Sequence, residues 1–294
     1  MRRAVHHQTM TTDYAHMPPD PDTHKQQVTS LFDLIAEGYD NPSQRFFGRC
    51  ADRLVECLRP TRGSEVLDIA TGTGVAAIAL AGAVGAEGRV QAIDLSPAML
   101  DRAATNIQAL SLPNIDLHIM DAERLDFDSA HFDHVSCAFG LFFIPDMGEA
   151  LRQWLRVLKP GGTLAFTSFA DRAFRPLAEM FIEDLEAFGL TPPAPGWYRL
   201  SDPTVVRQLL EAAGFEAIET AEEQHGHYLA DTSGWWELLW NSGFRGYLNA
   251  LAPEQLAAFR RMHLARVAER ATEQGLWLDI ATLFTTARRP AGSA

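Results

Sequence analysis

Two carboxylates and two glycines stand at spacings that suit a ligand carrying a ribose. Asp68 lies inside the apolar run Val66-Leu67-Asp68-Ile69, which predicts a short strand. Ala70-Thr71-Gly72-Thr73-Gly74-Val75 follows, and then a stretch from Ala76 to Val84 rich in alanine and aliphatic residues, as a helix would be. Strand, glycine turn and helix open a βαβ unit. Glycine turns the backbone sharply and leaves space where a Cβ would stand. Beyond Gly74, Asp94 closes a second strand, Arg89-Val90-Gln91-Ala92-Ile93-Asp94. A carboxylate at that tip can accept hydrogen bonds from both hydroxyls of a ribose. Gly72 to Ala77 also fits the relaxed dinucleotide pattern, so the glycines alone leave a nicotinamide cofactor open.

Asp68 followed by Ala-Thr-Gly-Thr-Gly resembles motif I of class I S-adenosylmethionine (SAM) methyltransferases. A pyrophosphate has no evident use for a carboxylate there, whereas a ligand with an ammonium and a sulfonium has. Phe32-Asp33 and Tyr39-Asp40 are similar to the N-terminal segment of the ubiquinone/menaquinone-type methyltransferases. Arg156-Val157-Leu158-Lys159-Pro160-Gly161-Gly162, ahead of a strand, is similar to a turn of the same family. Physically it is a helix stop and tight turn, and it does no chemistry. The resemblance runs from Phe32 to about Phe169 and says nothing of the methyl acceptor.

The resemblance implies an α/β fold: a doubly wound, Rossmann-like, seven-stranded sheet whose last strand is antiparallel. It implies SAM as cofactor, held by Asp68, Ala70, Gly72, Gly74, Asp94 and Ala138. Leu95 and Met99 flank Asp94, where an adenine ring would lie. Asp121, after the alternating strand Ile115–Met120, would accept from the adenine amino group, with the amide of Ala122 on a ring nitrogen. In that family the tyrosine matched by Tyr39 lies near the reacting methyl; its other reading is a residue that packs the helix on the sheet.

With 294 residues, 47% of them hydrophobic, the chain suits one large domain or a domain plus a cap. The formal net charge of -13 argues against a nucleic-acid partner, which requires a basic face, and against an anionic membrane surface. No run approaches the length of a membrane span. Cys50, Cys57 and Cys137 make no metal spacing or disulfide framework and read as buried apolar residues of a cytoplasmic protein. Arg2 and Arg3 precede no apolar segment, so a secretory signal is not expected. Residues 1–24, rich in proline, read as a disordered tail, and His6, His7, His16 and His24 as solvated side chains rather than metal ligands. Residues 25–60 read as helices covering the cofactor site, 61–230 with 276–289 as the SAM-binding domain, and 231–275 as a lid of two helices.

Ligands of an open α/β sheet bind at the carboxyl ends of its strands. Ala138 to Phe143, after the strand Phe132–Ala138, should therefore face the methyl group and its acceptor, with Phe139 and Phe143 touching the acceptor. No Asn/Asp-Pro-Pro-Tyr motif of base-amine methyltransferases follows that strand. Trp197 in a proline-rich loop, and Trp236 and Trp240 at helical spacing, are further acceptor-binding candidates. The tryptophan helix reads first as core, and otherwise as a lid over a hydrophobic substrate or as a homodimer contact. A general base is needed only for an acceptor protonated at neutral pH, and His225 and His227 are the candidates. No metal constellation is present in the sequence.

These features point to SAM-dependent methylation of a small, hydrophobic or aromatic molecule, on oxygen or carbon. The alternatives are a SAM-binding cyclase or isomerase that transfers no methyl, a nicotinamide-dependent oxidoreductase, and a non-catalytic SAM-binding protein.

Overall fold

The strand that carries Asp68 is β1 (Glu65–Ile69), buried beyond its first residue, which is why its sequence is an apolar run rather than an alternation. The computed structural model describes residues 20–292. β1 pairs in parallel with β2 (Arg89–Asp94) on one side and with β4 (Phe132–Ala138) on the other. β3 (Ile115–Ile119) continues the sheet beyond β2, and β5 (Leu158–Phe169) beyond β4, both parallel. The last strand, β9 (Ala281–Arg288), inserts antiparallel between β5 and β6 (Glu216–Gln224). The order is β3-β2-β1-β4-β5-β9-β6, the doubly wound sheet with an antiparallel last strand. Strand order reverses between β1 and β4, so the crevice at their carboxyl ends is where a ligand should sit.

Helices cover both faces. α2 (Phe46–Leu58) and α3 (Val75–Val84) pack together on one. α4 (Pro97–Ala109) starts where expected: the Ser96 hydroxyl accepts from the Met99 N–H, and proline opens the helix. α5 (Met147–Val157) packs with α7 (Pro203–Ala213) on the other face, and buried Trp154 donates its indole N–H to the Ala122 carbonyl.

Four expectations change. α1 runs from Pro21 to Ile35, so residues 21–24 are helix, not tail. The Asp20 side chain caps it and Pro21 opens it, a start signal hidden among neighbouring prolines. His24 packs its ring against the Phe143 carbonyl at 3.0 Å; His6, His7, His16 and the rest of the expected tail lie outside the described residues. α6 (Leu177–Ala187) is preceded by turns in which Phe174 has φ +64°.

Residues 231–275 hold three helices rather than two: α8 (Thr232–Trp240), α9 (Arg245–Leu248) and α10 (Pro253–Ala268). Residues 276–289, expected to belong to the SAM-binding domain, are split. β8 (Leu276–Leu278) pairs with β7 (His227–Leu229) in a separate ribbon before β9 enters the sheet. Asp279 makes the break, its carboxylate accepting from the Ala281 N–H, Gln224 and Arg172.

Candidate functional site

The turn after β1 is built from left-handed backbone: φ is +54° at Ala70, +55° at Gly72 and +86° at Gly74. A Cβ on Gly72 would meet nothing within 4 Å, so its Cα faces open space. The Gly72 N–H donates to Asp94 Oδ2 at 2.8 Å, and the Ser96 N–H donates to Asp94 Oδ1 at 2.9 Å. Two backbone donors thus fix the carboxylate at the tip of β2. Burial raises its pKa, and these amides oppose the shift.

A cleft opens beside this turn. Tyr39, Ala70, Gly72, Asp94, Leu95, Met99, Asp121, Ala122 and Ala138 all line it. Asp68 and Gly74 do not. Asp68 is fully buried beneath the turn, where Thr71 Oγ1 donates to it at 2.6 Å and Ser136 Oγ at 2.5 Å. Burial pushes its pKa up to about 6. It shapes the turn rather than meeting the contents of the cleft. Gly74 answers to packing: a Cβ there would come within 3.2 Å of the Ala103 Cβ on α4.

α1 roofs the cleft with Lys25, Val28 and Phe32. Lys25 Nζ donates to Asp121 Oδ2 at 2.7 Å and also pairs with Glu123. Lys25 was not foreseen, because only the folded chain brings α1 to the end of β3. Val28 and Phe32 were traceable from the helical spacing of Val28, Leu31, Phe32 and Ile35. Behind the roof, Asp40 accepts from Thr73, Arg102 and Asn106, which pins the segment carrying Tyr39 to the first glycine turn.

A second chamber adjoins the first, and Phe32, Tyr39, Phe139 and Phe143 line both. Its walls are mainly aromatic: Phe46, Phe47, Phe142, Phe169, Phe174, Trp197, Phe244 and Tyr247. Phe139 sits at the junction in left-handed backbone, φ +55°, a conformation unfavourable for a bulky residue. Its N–H donates to Thr167 Oγ1 at 3.1 Å and its ring stacks on Phe169 with centroids 4.4 Å apart. Those contacts hold the conformation and aim the ring.

The remaining candidates lie elsewhere. Trp236 and Trp240 line neither cavity. They stack on each other at 5.9 Å, with the Arg260 guanidinium 5.0 Å from the Trp236 ring and that of Arg245 3.0 Å from the Trp240 ring. The insertion instead offers the chamber Leu238, Ser242, Gly243, Phe244 and Tyr247, from the end of α8 onward. Helical spacing revealed an aromatic stripe but not which side of it the chamber would occupy. His225 and His227 also line neither cavity. His225 sits beside Glu223 and Phe284. His227 is buried behind Phe46, with both ring nitrogens unpartnered and its pKa pushed down to about 4 by burial and by Arg45 and Arg49.

The cleft fits the cofactor that the sequence implied. An open glycine turn, a fixed carboxylate at the end of β2 and another at the end of β3 give partners for an amino-acid tail, a ribose and a purine amine in that order. Among the described residues no helix is long and apolar enough to cross a membrane.

Comparison with known proteins agrees with this geometry. The model of the ubiE/COQ5 methyltransferase family matches residues 21–188, from the start of α1 to the end of α6. The chain is 38% identical over 151 residues to the aklanonic acid methyltransferase DauC of Streptomyces sp. (strain C5), covering 51% of this chain and 69% of that one. It is 32% identical over 215 residues to the ubiquinone/menaquinone biosynthesis C-methyltransferase UbiE of Idiomarina loihiensis, covering 66% and 85%. Among solved structures, the [4+2]-cyclase SpnF superposes with a TM-score of 0.60 at 22% identity, over 94% of this chain and 99% of that one. The YcgJ protein of Bacillus subtilis superposes with a TM-score of 0.57 at 18% identity, over 83% and 100%. At these identities the two structures speak for the fold alone. The family match selects SAM over a nicotinamide cofactor, and the chain belongs to the ubiE/COQ5 methyltransferase family as a SAM-dependent methyltransferase.

Proposed function

We propose that this enzyme methylates oxygen or carbon of a small aromatic molecule seated in the second chamber. The observation that carries the reading is the shared wall. A cleft with polar strand tips and a chamber with aromatic walls meet at Phe32, Tyr39, Phe139 and Phe143. Bound SAM supplies a methyl group already activated on a sulfonium. The chain has to hold the two reactants in line and keep water out.

Asp94 and Gly72 are assigned to the ribose and the amino-acid tail, and Asp121 with the Ala122 amide to the purine. Tyr39 and Phe139 border the point of transfer. The rings of Phe46, Phe169 and Phe174 suit a flat apolar acceptor. Residues 231–275 act as a lid through Leu238 and Phe244, not through the tryptophan stack.

No histidine, carboxylate or lysine is among the residues lining the chamber. Its titrating groups are Tyr39 and Tyr247; burial pushes Tyr247 up to about 12 and Tyr39 higher still. Neither accepts a proton at neutral pH. The acceptor therefore enters as an anion already formed in water, or reacts through an electron-rich carbon. The names of the two relatives, one acting on aklanonic acid and one a C-methyltransferase of quinone biosynthesis, suit such acceptors.

The test is mass spectrometry of reactions containing SAM and a panel of phenols, quinols and aromatic carboxylic acids. S-adenosylhomocysteine should form in step with an acceptor heavier by one methyl group. Methylation of linear amines or nucleic acid, with every aromatic compound inert, would reject the reading.

A further inference from the structure

Two residues of the aromatic chamber each keep one buried polar atom without a partner. Gln44, 4% exposed, donates from Nε2 to the Asn241 carbonyl at 2.8 Å. Only the amide nitrogen can donate to a carbonyl, so this bond fixes which way the amide points. Gln44 Oε1 is left buried and unpaired. Trp197, 8% exposed, is wedged among Phe169, Phe174 and Phe244, and its Nε1–H is likewise buried and unpaired. Both residues line the chamber.

Unpaired polar atoms are rare in buried positions because leaving water without a new partner is costly. Two neighbouring polar side chains already have partners. Ser242 Oγ accepts from the Phe244 N–H, and the Tyr247 hydroxyl donates to the Pro193 carbonyl. One donor and one acceptor are thus left unpaired just behind an aromatic lining whose other side-chain polar groups are the hydroxyls of Tyr39, Ser242 and Tyr247.

We propose that Trp197 Nε1–H and Gln44 Oε1 are the specificity pair of the acceptor site. Trp197 donates to a carbonyl or phenolate oxygen of the acceptor, and Gln44 accepts from a hydroxyl. The ligand class is a planar aromatic molecule carrying both groups. The inference rests on the chamber being the acceptor site. It adds that recognition is polar at two points and not by shape alone.

The experiment titrates the protein, saturated with S-adenosylhomocysteine, with hydroxyanthraquinone, anthraquinone and anthracene. Wild type should bind the first roughly tenfold more tightly than the second, and the second roughly tenfold more tightly than the third, one hydrogen bond being lost at each step. Gln44→Met should erase the first step and Trp197→Phe the second, with S-adenosylhomocysteine affinity unchanged. Equal wild-type affinity for all three compounds would overturn the pair while leaving the chamber as a binding site. Binding of none of them would overturn the chamber and the pair together. The wild-type series decides the matter even where a variant folds poorly.

Discussion

Lys25 Nζ reaches from α1 to Asp121 Oδ2 at 2.7 Å and so ties the first helix to the end of β3 across the cofactor cleft. Asp121 is also the residue assigned to the purine amine. The ammonium therefore holds the roof closed and orients that carboxylate at once. Lys25→Met should weaken S-adenosylhomocysteine binding by about 1 kcal/mol, roughly fivefold, since the pair is half-buried and charge-assisted. Hydrogen exchange within α1 should quicken in the same variant. Unchanged affinity and exchange would show that the tie is incidental.

Asp94 is the residue assigned to the ribose. Asp94→Ala removes a carboxylate already aligned by the Gly72 and Ser96 amides. Cofactor affinity should fall by about 1–3 kcal/mol in calorimetry. A folded variant with wild-type affinity would sink the ribose assignment.

Trp236 and Trp240 separate packing from catalysis. Trp236 is buried outside both cavities, so Trp236→Ala should lower stability by about 3 kcal/mol in denaturant unfolding. Trp240→Ala should cost about 1 kcal/mol, mostly its cation–π contact with Arg245. The acceptor KM should not move in either. A raised KM at full stability would return these side chains to the acceptor site.

Stability should respond to acid through His227 and Asp68 with opposite signs. The pKa of His227 is depressed from 6.5 to about 4 in the folded chain, so the unfolded chain takes up the proton first. Its contribution is present above pH 6.5 and is lost as pH falls toward 4, on the order of 2 kcal/mol in all. Asp68 is raised from 3.8 to about 6, so its contribution is full below 3.8 and is lost as pH rises through 6. Urea unfolding at stepped pH should show His227→Phe losing less stability than wild type between pH 6.5 and 4. Asp68→Asn should lose more. Parallel curves for all three proteins would contradict both shifts.

Local signals made the sheet and the cofactor cleft legible in the sequence. A strand, its glycine turn and an acid at the next strand tip lie in the one stretch Glu65 to Asp94, and the Ser96-Pro97 helix start and the strand of Asp121 follow it directly. The role of Asp68 was less visible. Its position in the strand was plain, but its direction, down toward Ser136 on β4, depends on strand pairing. The acceptor side was readable only in composition. Gln44, Phe174, Trp197 and Phe244 come from four separate segments and meet through long-range packing. His227, a candidate base by residue type alone, lies in the β7–β8 ribbon, away from both cavities.

The most direct test of the account is transfer of labelled methyl from SAM to hydroxyanthraquinone by wild type and by Phe174→Asp, which sets a charge in the aromatic wall and does not touch the lining of the cofactor cleft. The account predicts labelled product from wild type, a loss of at least roughly a hundredfold in kcat/KM in the variant, and an unchanged KM for SAM. Equal activity in the two proteins, or a variant impaired only in its use of SAM, would contradict the assignment of the aromatic chamber to the acceptor.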